Sequence, residues 1–144
     1  MAKNFFRRFK INDRGASLIE FALVTPLLLA LVMGIIEFGW VYNGYITLNG
    51  ATREGARIAA IFKILPGDEG YTGYIEDEVQ KHETNTLQIN DIRIIPIAEG
   101  QGNNATKRVR VEVDGSISLL LGGIPFIPIE DPFDLSAQTT MRLE

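Results

Sequence analysis

The longest uninterrupted apolar segment of the chain covers residues 21–36, which contain no charged side chain. Counted from Ala16, the segment is about 20 residues long, and a helix of that length spans about 30 Å, the thickness of the hydrocarbon core of a bilayer. Glu20 lies just inside its N-terminal end, where a carboxylate is costly in lipid. Pro26 lies within it and should kink or locally loosen the helix. The pattern predicts a transmembrane helix over residues 16–37.

The helical pattern continues over residues 38–65, but it changes there from uniformly apolar to amphipathic. Apolar and small side chains recur at intervals of three and four, which marks one helix face. This face carries Val41, Tyr45, Leu48, Thr52, Ala56 and Ala59. Ala51, Gly55 and Ala59 form a stripe of small residues at intervals of four, against which another element can pack closely. We expect the sheet of the chain itself to cover part of this surface, and contact with neighbouring subunits is the alternative.

Residues 66–144 contain short segments, most of them with the length and residue pattern of β-strands. They predict a small exported domain. A short helix is expected over residues 74–82. Branched side chains predict a strand over residues 87–97. Alternation over residues 107–118 and the closing segment 133–143 predict two more strands. The expected fold class is therefore α+β and pilin-like, with a long N-terminal helix, a short helix and an antiparallel sheet of about three strands.

Two features outside the apolar segment predict further contact with lipid or with a partner. Trp40 and Tyr42 follow Glu37 at the end of the predicted span and are expected to be interfacial anchors. Residues 119–132 are apolar but lack a regular period, and they contain two glycines and three prolines. An exposed segment of this kind would favour contact with a membrane or a partner. The alternative is that it covers the sheet.

Charge is distributed unevenly along the chain. Residues 1–15 carry five basic and one acidic side chain, a net charge of +4, whereas residues 16–144 carry nine basic and seventeen acidic side chains, a net charge of −8. The acidic body argues against nucleic acid as a partner. The basic beginning predicts a cytoplasmic N-terminus and an exported C-terminal domain. A secretory signal fits poorly, because the apolar segment is too long, Glu20 interrupts it and no Ala-x-Ala site follows.

Gly15 and Glu20, followed by an apolar helix, resemble the processing site of a type IV prepilin. The sequence around them closely resembles the TadE-like pseudopilins of the tight-adherence (Tad) pilus system. Two further segments, residues 36–39 (Ile-Glu-Phe-Gly) and 49–57 (Asn-Gly-Ala-Thr-Arg-Glu-Gly-Ala-Arg), add to this resemblance, which covers roughly residues 12–60. It implies a minor pilin that takes part in assembly of a Tad-type (type IVc) adhesive pilus.

The resemblance also implies roles for particular residues. A prepilin peptidase would cut between Gly15 and Ala16 and remove residues 1–15 as a leader. The alternative is that Gly15 is a plain turn or helix start. Glu20 would pair with the new α-amine of Ala16 in a neighbouring subunit or with a platform partner, because a carboxylate in a low-dielectric site is tolerable only beside a cation. The alternative is an interfacial acid solvated by headgroups.

A minor role is indicated by Phe21, which stands where major pilins of this type carry tyrosine, and by the presence of a sheet domain. The implied partners are a prepilin peptidase, other pilins, the pilus assembly platform and membrane lipid. The implied location is the bacterial inner membrane, in a single pass, with incorporation in the pilus left open.

The sequence offers little for catalysis. It has no cysteine and a single histidine, His82, so no ordinary zinc site and no thiol chemistry can be assembled. A serine nucleophile with a histidine base has no local support. We therefore expect neither an enzyme nor a cofactor. Two alternatives to the pilin stay open: an uncleaved, single-pass envelope protein like the TadG-like proteins, and a small binding module on a membrane tether.

Overall fold

The computed structural model describes residues 13–63, 71–99, 106–122 and 131–143. The order of elements confirms the predicted α+β class. The elements are α1 (Asp13–Ile61), α2 (Thr72–Gln80), β1 (Leu87–Glu99), β2 (Thr106–Ile117) and β3 (Phe133–Arg142). The chain divides into two compact units, Met1–Ile36 and Glu37–Glu144. The first belongs to the predicted anchor and the second holds the sheet domain.

The described part of the first unit is the N-terminal portion of α1. Nearly all of its side chains from Ser17 to Ile36 are exposed, including the leucines and valines. This is the arrangement expected of a helix whose solvent is lipid. By length and composition α1 is the one helix among the described residues that could cross a membrane, with a mean hydropathy of 2.4 over its most apolar window. It fits a single-pass membrane anchor.

In two respects α1 differs from the helix that the sequence predicts. The helix begins at Asp13, so residues 13–15 of the predicted leader are helical, while residues 1–12 lie outside the described residues. The helix also continues through Pro26 without interruption. Just before the proline, the Thr25 hydroxyl donates a hydrogen bond of 2.7 Å to the carbonyl oxygen of Phe21.

The second unit is built on a three-stranded antiparallel sheet in the order β1-β2-β3. The register places Ile92 opposite Val113 and Arg93 opposite Glu112, and it shifts between Ile89 and Asp91. This irregularity acts as a β-bulge, which moves the side chains that follow it back into phase with the inner face. Since β2 lies in the middle, its alternating valines face the centre of the core.

The core lies between the second half of α1, α2 and the inner face of the sheet. Its fully buried large side chains are Leu48, Ile75, Leu87, Val79, Val109, Val111 and Val113. Thr52 is also fully buried, and its hydroxyl donates to the carbonyl oxygen of Leu48 at 2.7 Å. No buried side-chain nitrogen or oxygen among the described residues lacks a hydrogen-bond partner. The core is thus closed by apolar packing with its few polar groups satisfied.

The helix face that packs on the sheet is rotated slightly from the predicted one. Leu48, Thr52, Ala56 and Ala59 are fully buried as expected, but Tyr45 is 44% exposed. Gly44 takes the inward position instead, because a β-carbon built there would lie 2.5 Å from Cδ1 of Ile117 and 3.7 Å from Cδ1 of Leu135. A tyrosine side chain could not occupy a site where even one added carbon is crowded.

Candidate functional site

The segment predicted to be processed lies at the start of α1. Asp13 is the first described residue of α1, so the peptide bond between Gly15 and Ala16 lies in the first described turn of the helix. A β-carbon built on Gly15 would meet nothing within 4 Å. Glu20 and Phe21 are exposed one to two turns further along. All four residues are therefore accessible on the chain, with Gly15 and Ala16 half-exposed.

The predicted stripe of small residues is covered by the chain itself. Ala51 and Ala59 are fully buried, and Gly55 is buried between them. A β-carbon built on Gly55 would lie 2.7 Å from Cγ2 of Val79 in α2 and 3.4 Å from Cγ1 of Val111 in β2. These three positions let α1 approach the rest of its own domain closely, so the surface they form is not free for a neighbouring subunit.

The Arg-Glu-Gly-Ala-Arg segment, residues 53–57, has an inward and an outward side. Gly55 and Ala56 are buried, while Glu54 and Arg57 pair on the outside. The Arg57 guanidinium donates two hydrogen bonds to the Glu54 carboxylate, one of them 3.0 Å long from Nε to Oε2. This hydrogen bonding by Arg57 lowers the pKa of Glu54 from its ordinary value. The segment thus combines close packing with a local ion pair.

A second polar cluster lies where α1 enters the second unit. Both oxygens of the Glu37 carboxylate accept backbone hydrogen bonds, from the N–H of Leu120 at 2.9 Å and from the N–H of Leu121 at 3.1 Å. One turn further, the Trp40 indole N–H donates to the carbonyl oxygen of Ser118 at 3.2 Å. We call this arrangement the Glu37 clamp. It fastens residues 118–121, which follow β2, to the helix.

A further hydrogen bond joins the same segment to the residues just before β3. The backbone N–H of Leu119 donates to Oδ1 of Asp131 at 3.0 Å. Asp131 lies two residues before β3, so the start and the end of the connection between β2 and β3 are joined. The predicted apolar segment 119–132 falls partly outside the described residues, which stop at 122 and resume at 131. Its described ends are held by side-chain acceptors.

The described residues contain no group of three or more histidine, cysteine or acidic side chains that could hold a metal ion. His82 is half-buried, with Nδ1 3.3 Å from the carbonyl oxygen of Glu78.

An open depression of about 450 Å³ on the second unit is lined by Tyr45, Asn49 and polar residues of the sheet. Its charged groups Arg93, Glu112 and Asp114 are ion-paired with one another. These charges therefore already have partners within the chain.

The helix that carries these features also carries the match to a known family. Residues 15–57 match the model of the TadE-like protein family. No curated protein and no solved structure gives a match to this chain. The match confirms the predicted resemblance to TadE-like proteins over this segment of the chain. TadE-like pilus proteins are structural and not enzymes.

The TadE-like segment begins at Gly15 and ends at Arg57, so it contains the predicted processing bond, Glu20, the helix half of the Glu37 clamp and most of the small-residue stripe. It stops before Ala59, α2 and the sheet. Sequence reasoning missed one member of this set as a site residue. Glu37 stood out as an acid at the end of an apolar segment and as part of the Ile-Glu-Phe-Gly segment, but nothing in the sequence pairs it with residues 120 and 121.

Proposed function

We propose that this chain is a TadE-like minor pilin, which takes part in assembly of a Tad-type adhesive pilus after a prepilin peptidase cuts between Gly15 and Ala16. The observation that carries the proposal is the family match that starts at Gly15 and includes Glu20 and the whole apolar segment. The chain would be the substrate of an enzyme and would itself act as a structural component.

Processing at this bond requires that the peptidase reach the backbone. Gly15 has open space around its α-carbon and Ala16 is half-exposed. The bond lies two residues after Asp13, the first described residue of α1. Cleavage there would leave the apolar segment in the product and create an α-amine on Ala16.

Glu20 would then serve as the assembly contact. It is exposed on α1 and lies next to an uncharged segment, so in lipid its carboxylate would need a cation. The Ala16 amine of a neighbouring subunit would be such a cation.

The proposed location is the bacterial inner membrane, with the N-terminus in the cytoplasm and the sheet domain exported. The single apolar helix supports the anchor. The net charge of +4 over residues 1–15 supports the orientation, because basic flanking residues stay on the cytoplasmic side. Other pilins and the assembly platform would be the partners of the processed chain.

The competing proposal is an uncleaved, permanently anchored envelope protein. Substitution of Glu20 separates the two. In cells that depend on this chain for piliation, Glu20→Ala should still be processed but should fail to support pili, whereas Leu23→Ala, an exposed control on the same helix, should support both. Unchanged piliation in the Glu20→Ala cells would contradict the pairing, and an unprocessed chain in all variants would favour the anchored envelope protein.

A further inference from the structure

Residues 118–121 are fastened to α1 immediately after the apolar segment ends. Glu37 directly follows Ile36 along the helix, and Trp40 lies three residues further. With a rise of about 1.5 Å per residue, the two clamp residues cover about 5 Å of the helix axis. The clamp thus holds residues 118–121 beside the turn of α1 at which the helix side chains change from uniformly apolar to a mixture of apolar and polar.

We propose that residues 118–121 form a second membrane contact, which rests on the phospholipid surface at the level where α1 leaves the bilayer. Glu37 and Trp40 set its depth. Leu120 is the side chain that enters the boundary between headgroups and acyl chains. The contact would attach the sheet domain to the membrane surface at a point distinct from the helix itself.

The exposed side chains at this level suit lipid. Leu120 is 54% exposed, and on α1 Phe38 is 72% and Tyr42 54% exposed. Phe38 and Tyr42 stack on each other with ring centroids 6.1 Å apart. Because successive helix residues are about 100° apart, these two rings lie on a different side of α1 from Glu37 and Trp40. Aromatic and apolar groups therefore surround the helix at one level, as in the aromatic belts of membrane proteins.

The hydrogen bonds of the clamp remove the main cost of placing irregular backbone next to lipid. A backbone N–H that faces hydrocarbon without a partner costs several kcal/mol. Here the N–H groups of Leu119, Leu120 and Leu121 donate to Asp131 and Glu37, and the carbonyl oxygen of Ser118 accepts from Trp40. The segment can therefore present leucine side chains while its backbone N–H groups are satisfied.

Lipid is favoured over a protein partner by continuity. The patch adjoins, along the chain, a segment that is uncharged over residues 21–36 and that must itself be covered by lipid. The indole of Trp40 has its N–H bonded within the chain and offers only its ring to the surroundings. The inference requires that α1 enters a bilayer, and it depends neither on cleavage after Gly15 nor on incorporation in a pilus.

The full chain offers two site-specific reporters. It has no native cysteine, so Leu120→Cys gives a single site for an environment-sensitive fluorescent label. Trp40 is the only tryptophan, so its intrinsic fluorescence reports separately on the depth of the helix. The chain is placed in vesicles of phosphatidylcholine and phosphatidylglycerol. Quenching by lipids that carry a spin label near the headgroup is compared with quenching by iodide in the water. Thr140→Cys is the matched control, because Thr140 is exposed on β3 far from the clamp in sequence.

The proposal predicts that the label at position 120 is quenched more by the lipid-borne probe and less by iodide than the label at position 140. The proposal would be overturned if iodide quenches the label at position 120 as strongly as the label at position 140, in vesicles where brominated lipids quench Trp40. That result would still support insertion of α1 in the bilayer. Shielding of position 120 only when other pilus proteins are added would also overturn it, in favour of a protein partner. Loss of Trp40 quenching would instead contradict membrane insertion of α1.

Glu37→Gln tests the depth-setting role of the clamp. The amide keeps one acceptor oxygen and loses the charge, so one of the two backbone donors is released. We expect the label at position 120 to become more accessible to iodide while Trp40 stays quenched by brominated lipids. Trp40→Phe, which keeps an aromatic ring but removes the donor to Ser118, should shift the label in the same direction. Full shielding of the label in both variants would overturn the role of the clamp.

Discussion

Gly55 of α1 lies directly against Val79 of α2, since a β-carbon built on the glycine would be 2.7 Å from Cγ2 of the valine. Real β-carbons do not approach other atoms so closely. The valine cannot turn away freely, because its β-branched side chain is stiff and fully buried. The absent side chain of Gly55 therefore sets the distance between the two helices, and this glycine belongs to the matched TadE-like segment.

Gly55→Ala should destabilise the second unit. The added methyl group overpacks the contact with Val79, which costs about 1–3 kcal/mol, and the higher helix propensity of alanine offsets up to about 1 kcal/mol of this. Hydrogen exchange of the β2 amides in the full chain, held in detergent micelles, measures the change in unfolding free energy. We expect a decrease of about 1 kcal/mol.

Gly50→Ala is the matched control on the same helix. Gly50 is exposed and a β-carbon there would meet nothing within 4 Å. Here the substitution changes only the helix propensity, which is higher for alanine than for glycine. This variant should therefore raise the unfolding free energy by about 0.5–1 kcal/mol. Equal effects of the two substitutions would mean that the contact with Val79 does not limit the packing.

Arg93 organises the charges on the outer face of the sheet. Its guanidinium lies 3.3 Å from Oδ2 of Asp91 and 3.6 Å from Oε2 of Glu112, and it also donates a short hydrogen bond to Asp114. Arg93→Gln removes the cation that Glu112 and Asp114 share on one face of the sheet, while Glu112 keeps Arg110 at 3.7 Å. We expect a loss of about 0.5–1 kcal/mol of unfolding free energy, because cross-strand charge pairs are modest and Arg93 is half-exposed.

This loss should shrink as salt is added, since salt screens exposed charges. Arg142→Gln, an exposed arginine at the end of β3, is the control and should have a smaller effect. Denaturant unfolding of the full chain in micelles at low and high salt measures both variants. A loss for Arg93→Gln that does not depend on salt would contradict the electrostatic explanation.

The Glu54–Arg57 pair predicts a residue-specific pH response. Arg57 lowers the pKa of Glu54 in the folded chain, so the pair stabilises the fold above the ordinary glutamate pKa, and this contribution is lost as the pH falls through the lowered value. Both side chains are on the surface, so the effect on overall stability should be small.

Arg57→Gln should return the pKa of Glu54 toward its ordinary value, which a carbon-detected NMR titration of the carboxyl group measures. Arg53→Gln is the matched control, because Arg53 precedes Glu54 directly, whereas Arg57 is the arginine that hydrogen-bonds the Glu54 carboxylate. If the pKa of Glu54 stays low in the Arg57→Gln variant, another group must lower it.

The sequence was sufficient to predict the order and type of the elements. The 3.6-residue period of α1 and the two-residue period of β2 are local, so each can be identified within a single segment. The inner face of β2, with Val109, Val111 and Val113, is fully buried as the alternation indicated. The boundaries of α2 and β1 differ from prediction by about two residues at one end or both, which is where helices and strands fray.

Three features could not be predicted in this way. Gly44 has no side chain to mark a face, so Tyr45 was assigned its inward position. The bulge between Ile89 and Asp91 changes the phase of β1, and only the uneven spacing of its isoleucines could have revealed it. The bonds from Glu37 to the backbone at positions 120 and 121 join residues more than eighty positions apart, and backbone donors carry no signal in a sequence.

The measurement that tests the proposed pilin most directly is the N-terminal sequence and intact mass of the chain, taken from membranes of cells with and without the prepilin peptidase. We predict a chain that begins at Ala16 only when the peptidase is present. A chain that retains residues 1–15 in both kinds of cell would contradict the pilin and favour a permanently anchored envelope protein.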